Sequence, residues 1–194
     1  MLQGLAKVIL KAGGWTMVGG LIKVPKAVVL AAPHTSNWDA FWAIVYLVAS
    51  GNKVRIFAKH SLFWFPLGNL LRAFGCLPLN RSKARSVVRQ AVDTFKSEDS
   101  FYLGLAPEGT RSLATGWKSG FYRIASDAGV PVCFGFLDYG KKRLGIVPGL
   151  ELTGDKEADM NVCAEFYADI EGRVPENKSP VQLQKRRPKK NSTD

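Results

Sequence analysis

Cysteine and histidine are both scarce in this sequence: three cysteines (Cys76, Cys133 and Cys163) and two histidines in 194 residues. The cysteines stand far apart, with no CxxC and no His/Cys ligand spacing. Neither a disulfide framework nor a zinc site is therefore expected, no metal or cofactor is implied, and a reducing cytosol fits best. Long hydrophobic runs are missing too. No apolar stretch reaches the roughly 18 to 20 residues of a spanning helix. The start lacks a charged n-region, an apolar h-region and a small-residue cleavage site. Any membrane contact is expected to be peripheral, on the cytoplasmic face. Acidic residues are outnumbered by basic ones, 16 to 27, leaving a formal charge of +11. That excess favours an anionic partner and does not choose among nucleic acid, an anionic bilayer and a phosphorylated or acidic-carrier substrate.

What is present is the composition of a folded domain, 46% apolar and 22% charged, enough for one substantial core. Leu2 to Ala12 place Leu2, Leu5, Ile9 and Leu10 near one face, with Lys7 and Lys11 elsewhere. That is the spacing of a short basic amphipathic helix, and it equally suits a helix capping the core. Trp15 to Ile22 and Ala27 to Leu30 read as strands, followed by a helix at Trp38 to Ala49 that Gly51-Asn52 ends. Further strands are predicted at Val54 to Ala58, Cys76 to Leu79, Phe101 to Ala106, Val132 to Leu137 and Leu144 to Val147. Helices are predicted at Leu62 to Phe74, interrupted by Pro66 and Gly68, and at Ala84 to Lys96, Phe121 to Ala128 and Ala158 to Ile170.

Strands alternating with helices predict a single α/β domain with a largely parallel central sheet flanked by helices, because parallel neighbours need long crossovers. Reactive groups should gather where strands hand over to helices. The chain divides into an amphipathic N-terminal helix (1–14), the main domain (15–172) and a basic tail (173–194). The tail's Lys185-Arg186-Arg187-Pro188-Lys189-Lys190 run and low apolar content read as disorder.

Pro33-His34-Thr35-Ser36-Asn37-Trp38-Asp39 lies where an apolar strand ends and a helix begins. Residues five apart on one continuous helix differ by about 140° in direction. A contact between His34 and Asp39 therefore requires His34 in the loop and Asp39 in the first helical turn, with Thr35 and Ser36 as capping candidates. In that geometry Asp39 accepts a hydrogen bond from one imidazole nitrogen and leaves the other free to take a proton from an attacking hydroxyl. Ser36-x-x-Asp39 is also a capping-box-like start, in which Asp39 serves the helix end alone.

A second strand exit carries Ala106-Pro107-Glu108-Gly109-Thr110-Arg111-Ser112. There Arg111 offers planar paired donors, and Gly109 allows close backbone approach to a phosphate or polar head. An exposed Pro-Glu-Gly turn is the plain alternative. Arg81, at a third exit, begins the cluster Arg81, Lys83 and Arg85, which also reads as a solvated helix start.

Together these blocks resemble the glycerophospholipid acyltransferase family typified by 1-acylglycerol-3-phosphate acyltransferase. The resemblance runs from about Lys26 to Tyr139. His34 and Asp39 match its HxxxxD block, Gly75 to Arg81 its G-x-x-F-x-x-R block, Pro107 to Ser112 its F-P-E-G-T-R-S block, and Gly129-Val130-Pro131-Val132 its V-P-V block. Smaller echoes fall at Lys59, Pro66, Gly68 and Lys118-Ser119-Gly120. Ala106, Pro78 and Phe134 depart from the usual Phe, Phe and Pro, which bears on the acceptor and pocket shape rather than on the reacting groups.

The resemblance implies transfer of a fatty acyl group from acyl-CoA or acyl carrier protein, as co-substrate, to the hydroxyl of a lysophosphatidate or related lysophospholipid, in phospholipid biosynthesis or remodelling. It implies His34 as base, Asp39 as its partner, and Arg81, Glu108, Gly109, Thr110 and Arg111 as contacts to the acceptor's phosphate and glycerol. An anionic membrane surface is the expected macromolecular partner, reached through the amphipathic start, Phe63-Trp64-Phe65 and the basic tail. No nucleic acid is expected. Phe63 to Phe65 equally suits core or the wall of an acyl-chain tunnel. No G-x-S-x-G elbow and no cysteine beside an activating base is visible, so a covalent route has no signature. Two rival readings stand: an acyl thioesterase, with water in place of the alcohol, and a non-enzymatic basic membrane-binding module.

Overall fold

The computed structural model describes residues 2–73, 75–79 and 84–184. Its strands are β1 (Thr16–Gly19), β2 (Lys26–Ala31), β3 (Val54–Lys59), β4 (Cys76–Leu79), β5 (Phe101–Leu105), β6 (Val132–Asp138) and β7 (Arg143–Leu150). Its helices are α1 (Leu2–Ala12), α2 (Trp38–Ser50), α3 (Leu67–Ala73), α4 (Ala84–Ser97), α5 (Gly120–Ala128) and α6 (Lys156–Tyr167). Among the described residues the strands make one sheet in the order β1-β7-β6-β2-β5-β3-β4. Every neighbouring pair is parallel except β6 and β7. Those two are consecutive and need just a tight turn, whereas the parallel neighbours are joined by crossovers. The single α/β domain with a largely parallel sheet is what the alternating pattern predicted.

Side-chain alternation along the strands sorts the core into two halves. In β2, Val28 and Leu30 join one cluster with α4, α5 and α6, while Ala27 and Val29 join another with α1 and α2. A central strand buried on both faces has to be apolar at successive positions. Ala27 to Leu30 are all 3% exposed or less. Helix α1 covers the core with Ala6 and Leu10, and leaves Leu2, Leu5 and Val8 exposed. It therefore both caps the domain and carries an outward apolar stripe.

Differences from the predicted boundaries have local causes. The first strand stops at Gly19, whose φ of 76° belongs to the left-handed region and turns the chain off the sheet. The segment around Pro66 breaks into a 3-10 turn, His60–Leu62, and α3, because proline has no N–H to continue a helix. Helix α6 starts earlier than expected, where the Asp155 side chain accepts from the Glu157 and Ala158 amides at 2.9 and 3.2 Å. Trp64 and Phe65 are exposed, so these two are not core.

The largest correction concerns the tail. Residues 173–184, read as part of a disordered segment, lie along the domain instead. Ser179 is buried and its hydroxyl accepts from the Ala114 amide at 3.0 Å. The Trp117 amide donates to the Gln182 carbonyl at 2.7 Å, and the Gln184 amide donates to the Trp117 carbonyl at 2.8 Å. Val181 and Leu183 pack against the first core cluster. A few apolar side chains suffice because the backbone donors and acceptors find partners in the 114–117 loop. The basic run from Lys185 lies outside the described residues.

Candidate active site

Strands β2, β5 and β6 are parallel neighbours, so their carboxyl ends open on one edge of the sheet. The exit of β2 carries His34, that of β5 carries Glu108 to Arg111, and that of β6 carries Tyr139. The His34 loop runs into α2, whose first turn contains Asp39.

Asp39 is 3% exposed, and its carboxylate gathers four donors. Oδ2 accepts from the Thr35 and Ser36 amides, each at 2.8 Å, and faces His34 Nδ1 at 3.1 Å. Oδ1 accepts from the Tyr139 hydroxyl at 2.9 Å. The capping and histidine-orienting readings of Asp39 are therefore both realised, on one oxygen. Burial by itself raises the pKa of this carboxyl. The hydrogen bonds from His34, Ser36, Tyr139 and Thr35 outweigh it and hold Asp39 below its usual value. An ionised Asp39 accepts and never donates, so Nδ1 carries the shared proton, and His34 Nε2 has no hydrogen-bond partner among the described residues. Burial and the bond to Asp39 push the Tyr139 phenol upward, keeping it a donor.

Glu108 differs from its expected place among the acceptor contacts. It is 3% exposed, and its Oε1 accepts from the His34 backbone amide at 3.1 Å. Its Oε2 has no hydrogen-bond partner among the described residues. Glu108 thus braces the His34 loop from below. Burial raises its pKa above the usual value, against smaller lowering effects from its own amide and from His34.

The rest of the loop faces outward. Thr110 and Arg111 are exposed, and the Arg111 guanidinium donates to the Asn37 side-chain carbonyl. Gly109 has a φ of 64°, and a Cβ there would lie 2.5 Å from Lys118 Nζ. The absent side chain lets the ammonium lie against the loop. Arg81 falls outside the described residues.

Beneath the pair, between α2 and the sheet, lies an apolar cavity of about 190 Å3 bordered by His34, Asp39, Ala43, Leu47, Ile56 and Phe136 among others. Three strands contribute glycines to its wall, Gly104 from β5, Gly135 from β6 and Gly145 from β7. A larger groove near the far end of α2 shares Leu47, Val54 and Ile56 with it and carries Lys53, Arg55 and Arg72. No cluster of metal-ligating side chains occurs among the described residues.

Sequence reasoning missed Tyr139 and Arg173. Tyr139 sits at the β6 exit, so the strand-exit rule was the signal available for it. Arg173 had none, because it lay within the stretch read as disordered. The Arg173 guanidinium lies over the Trp38 ring, 5.4 Å from its centroid, and beside the Tyr139 hydroxyl.

The sequence model of a family described as Acyltransferase matches residues 17–133, more than half of the chain. No curated protein matches the sequence. Among solved structures, the chain resembles the crystal structure of the 1-acyl-sn-glycerophosphate (LPA) acyltransferase PlsC from Thermotoga maritima. The TM-score is 0.55 at 19% identity, over 87% of this chain and 75% of that one. At that identity the likeness is one of fold.

The buried Glu108 generates a stability prediction. Its folded pKa is raised, so its neutral form is the one the fold favours. Stability is retained below the ordinary value of 4.5 and lost as pH rises through the folded pKa. Glu108→Gln keeps an acceptor for the His34 amide without the charge. In urea unfolding the variant should match the wild type in acid and become the more stable of the two towards neutral pH. A constant difference across that range would contradict a buried, ionisable Glu108.

Proposed function

The chain belongs to the acyltransferase family, and from that premise we propose that it moves a fatty acyl group from a thioester, acyl-CoA or acyl carrier protein, onto the hydroxyl of a lysophosphatidate-type acceptor in phospholipid biosynthesis. One observation carries this reading. An imidazole held through Nδ1 by a buried carboxylate has its other nitrogen free, beside an apolar cavity at the carboxyl edge of the sheet.

In the proposed reaction His34 Nε2 takes the proton of the acceptor hydroxyl as its oxygen attacks the thioester carbonyl carbon. The tetrahedral intermediate then expels the thiolate, which takes the proton back from the imidazolium. The ester is formed, the thiol is released, and the base ends as it began. Asp39 keeps the imidazole in the required tautomer and stabilises its transient positive charge. The cysteines support a direct route over an acyl-enzyme. None borders the His34 cavity, and burial raises all three thiols, that of Cys163 to about 12 with a contribution from Asp159.

The cavity supports a path for the acyl chain. Its walls are apolar and it begins at His34, so a chain lying beneath α2 would bring its carbonyl end to the base. Peripheral docking is supported by the exposed Leu2, Leu5 and Val8 of α1, with Lys7 and Lys11 on the same helix, and by the exposed Trp38 and Phe41 in the first turns of α2. No helix of the described residues is long and apolar enough to cross a membrane.

Three outcomes test the proposal. His34→Ala should lower transfer from labelled acyl-CoA or acyl carrier protein to lysophosphatidate by at least about 10²-fold, and Asp39→Asn should cause a comparable loss by releasing the tautomer. Near-full transfer by His34→Ala, or free fatty acid as the sole product of the wild type, contradicts the assignment, the latter in favour of a thioesterase. Ala43→Phe, which fills the cavity, should slow palmitoyl transfer by about 10-fold while sparing octanoyl transfer. Equal losses for both chains would place the acyl group elsewhere. Leu5→Glu with Val8→Glu should abolish co-sedimentation with anionic phospholipid vesicles, and retained sedimentation removes α1 from the docking face.

A further inference from the structure

The chain after α6 passes directly over the His34 loop. The Tyr139 amide donates to the Glu171 carbonyl at 2.9 Å, and the Val174 amide donates to Thr35 Oγ1 at 3.2 Å. Gly172 fits so closely between them that a Cβ would come within 2.8 Å of both Thr35 Oγ1 and Thr35 Cγ2. Beyond these residues the segment is held to the 114–117 loop by Ser179, Gln182 and Gln184. Residues 172–174 therefore form a strap pinned at both ends, lying outside the region that the family model matches.

Arg173 projects from this strap at the mouth of the site. Its guanidinium lies over the exposed ring of Trp38, 5.4 Å from the centroid, and the residue is itself exposed. A guanidinium over an aromatic face keeps N–H groups that can donate to an oxyanion, and this one also lies beside the Tyr139 hydroxyl. Arg111 reaches the neighbouring residue, Asn37, so two guanidinium groups from distant parts of the chain settle on successive residues. Lys118 lies against Gly109 on the same loop as Arg111. Among the described residues, no carboxylate lies within 4.0 Å of these three cations. The two carboxylates of the site are already engaged, Asp39 by four donors and Glu108 by burial against the His34 amide. Three positive groups thus share one rim with no ion-pair partner among the described residues, an arrangement that favours an anionic ligand.

We propose that Arg173 is a substrate-binding residue whose guanidinium, with Arg111 and Lys118, takes a phosphate group of the substrate across the mouth from His34. The inference rests on the acyl-transfer reading for the identity of the substrate, while the binding step is separable from it. A phosphate monoester on the acceptor and the phosphates of the thioester carrier share the required chemistry. A guanidinium suits either one, because paired N–H donors match two phosphate oxygens.

The test is binding in the His34→Ala protein, which separates ligand recognition from turnover. Lysophosphatidate and the uncharged monoacylglycerol of the same chain length are titrated with and without Arg173→Met. The expected result is a rise of about 10-fold or more in Kd for lysophosphatidate, with monoacylglycerol unchanged and Arg173→Lys intermediate. In turnover of the His34 protein the same change should fall on KM more than on kcat. A rise in KM confined to acyl-CoA, with lysophosphatidate binding intact, assigns the phosphate to the carrier and supports the site. Equal weakening of charged and uncharged acceptor, or no change for any phosphate-bearing ligand, overturns it. Arg173→Lys, which keeps stem and charge, supplies the folded control should the methionine variant fail to fold. Acyl transfer failing altogether while the phosphate-dependent binding persists would sink the proposed reaction and leave the rim standing.

Discussion

Four hydrogen-bond donors converge on the Asp39 carboxylate, and most of what surrounds the site follows from satisfying them. Two come from the amides of Thr35 and Ser36, one from the imidazole and one from the Tyr139 hydroxyl. A buried carboxylate is expensive to ionise, and here the donors outweigh the desolvation. They are drawn from the β2 exit and the β6 exit, which requires those strands to be neighbours in parallel register. The sheet order and the local chemistry are therefore one constraint seen at two scales.

The interior beneath this carboxylate is shaped by what is missing from it. Gly104, Gly135 and Gly145 come from three strands, and Ala43 faces them from α2. A Cβ at Gly135 would lie 2.6 Å from the Leu30 carbonyl oxygen, so close strand packing and open space over the sheet come from the same small residues. The apolar walls have an electrical consequence too. With Asp39 buried against them, the His34 and Asp39 pair interacts more strongly than it would at the surface. Glu108 adds a third element: it is buried, it accepts from the His34 amide, and that burial raises its pKa.

Much of the architecture was legible because it depends on short-range rules. The apolar run at Ala27 to Leu30 reads as a doubly buried strand, and Gly51 and Gly129 end helices with the left-handed φ values of 79° and 64° that such caps use. His34 and Asp39 were legible as a pair because a loop followed by a first helical turn is the local geometry that joins residues five apart. The errors fall where one segment depends on another distant in sequence. Residues 173–184 look polar in isolation, and their order comes from hydrogen bonds to Ala114 and Trp117 and from a few apolar contacts. Glu108 looks like an exposed turn residue until the His34 amide is placed above it.

The sequence by itself determined the alternation of strands and helices, the parallel sheet it requires, and the residues that meet within one turn of chain, since each depends on periodicity, caps or a fixed local distance. Tertiary structure alone decided that Tyr139 closes the fourth bond to Asp39, that Glu108 turns inward, and that Arg173 arrives at the rim beside Arg111. Those contacts span from 65 to 139 residues in their supporting hydrogen bonds. Loop closure over such separations depends on the packing of the whole domain, and no local pattern encodes it.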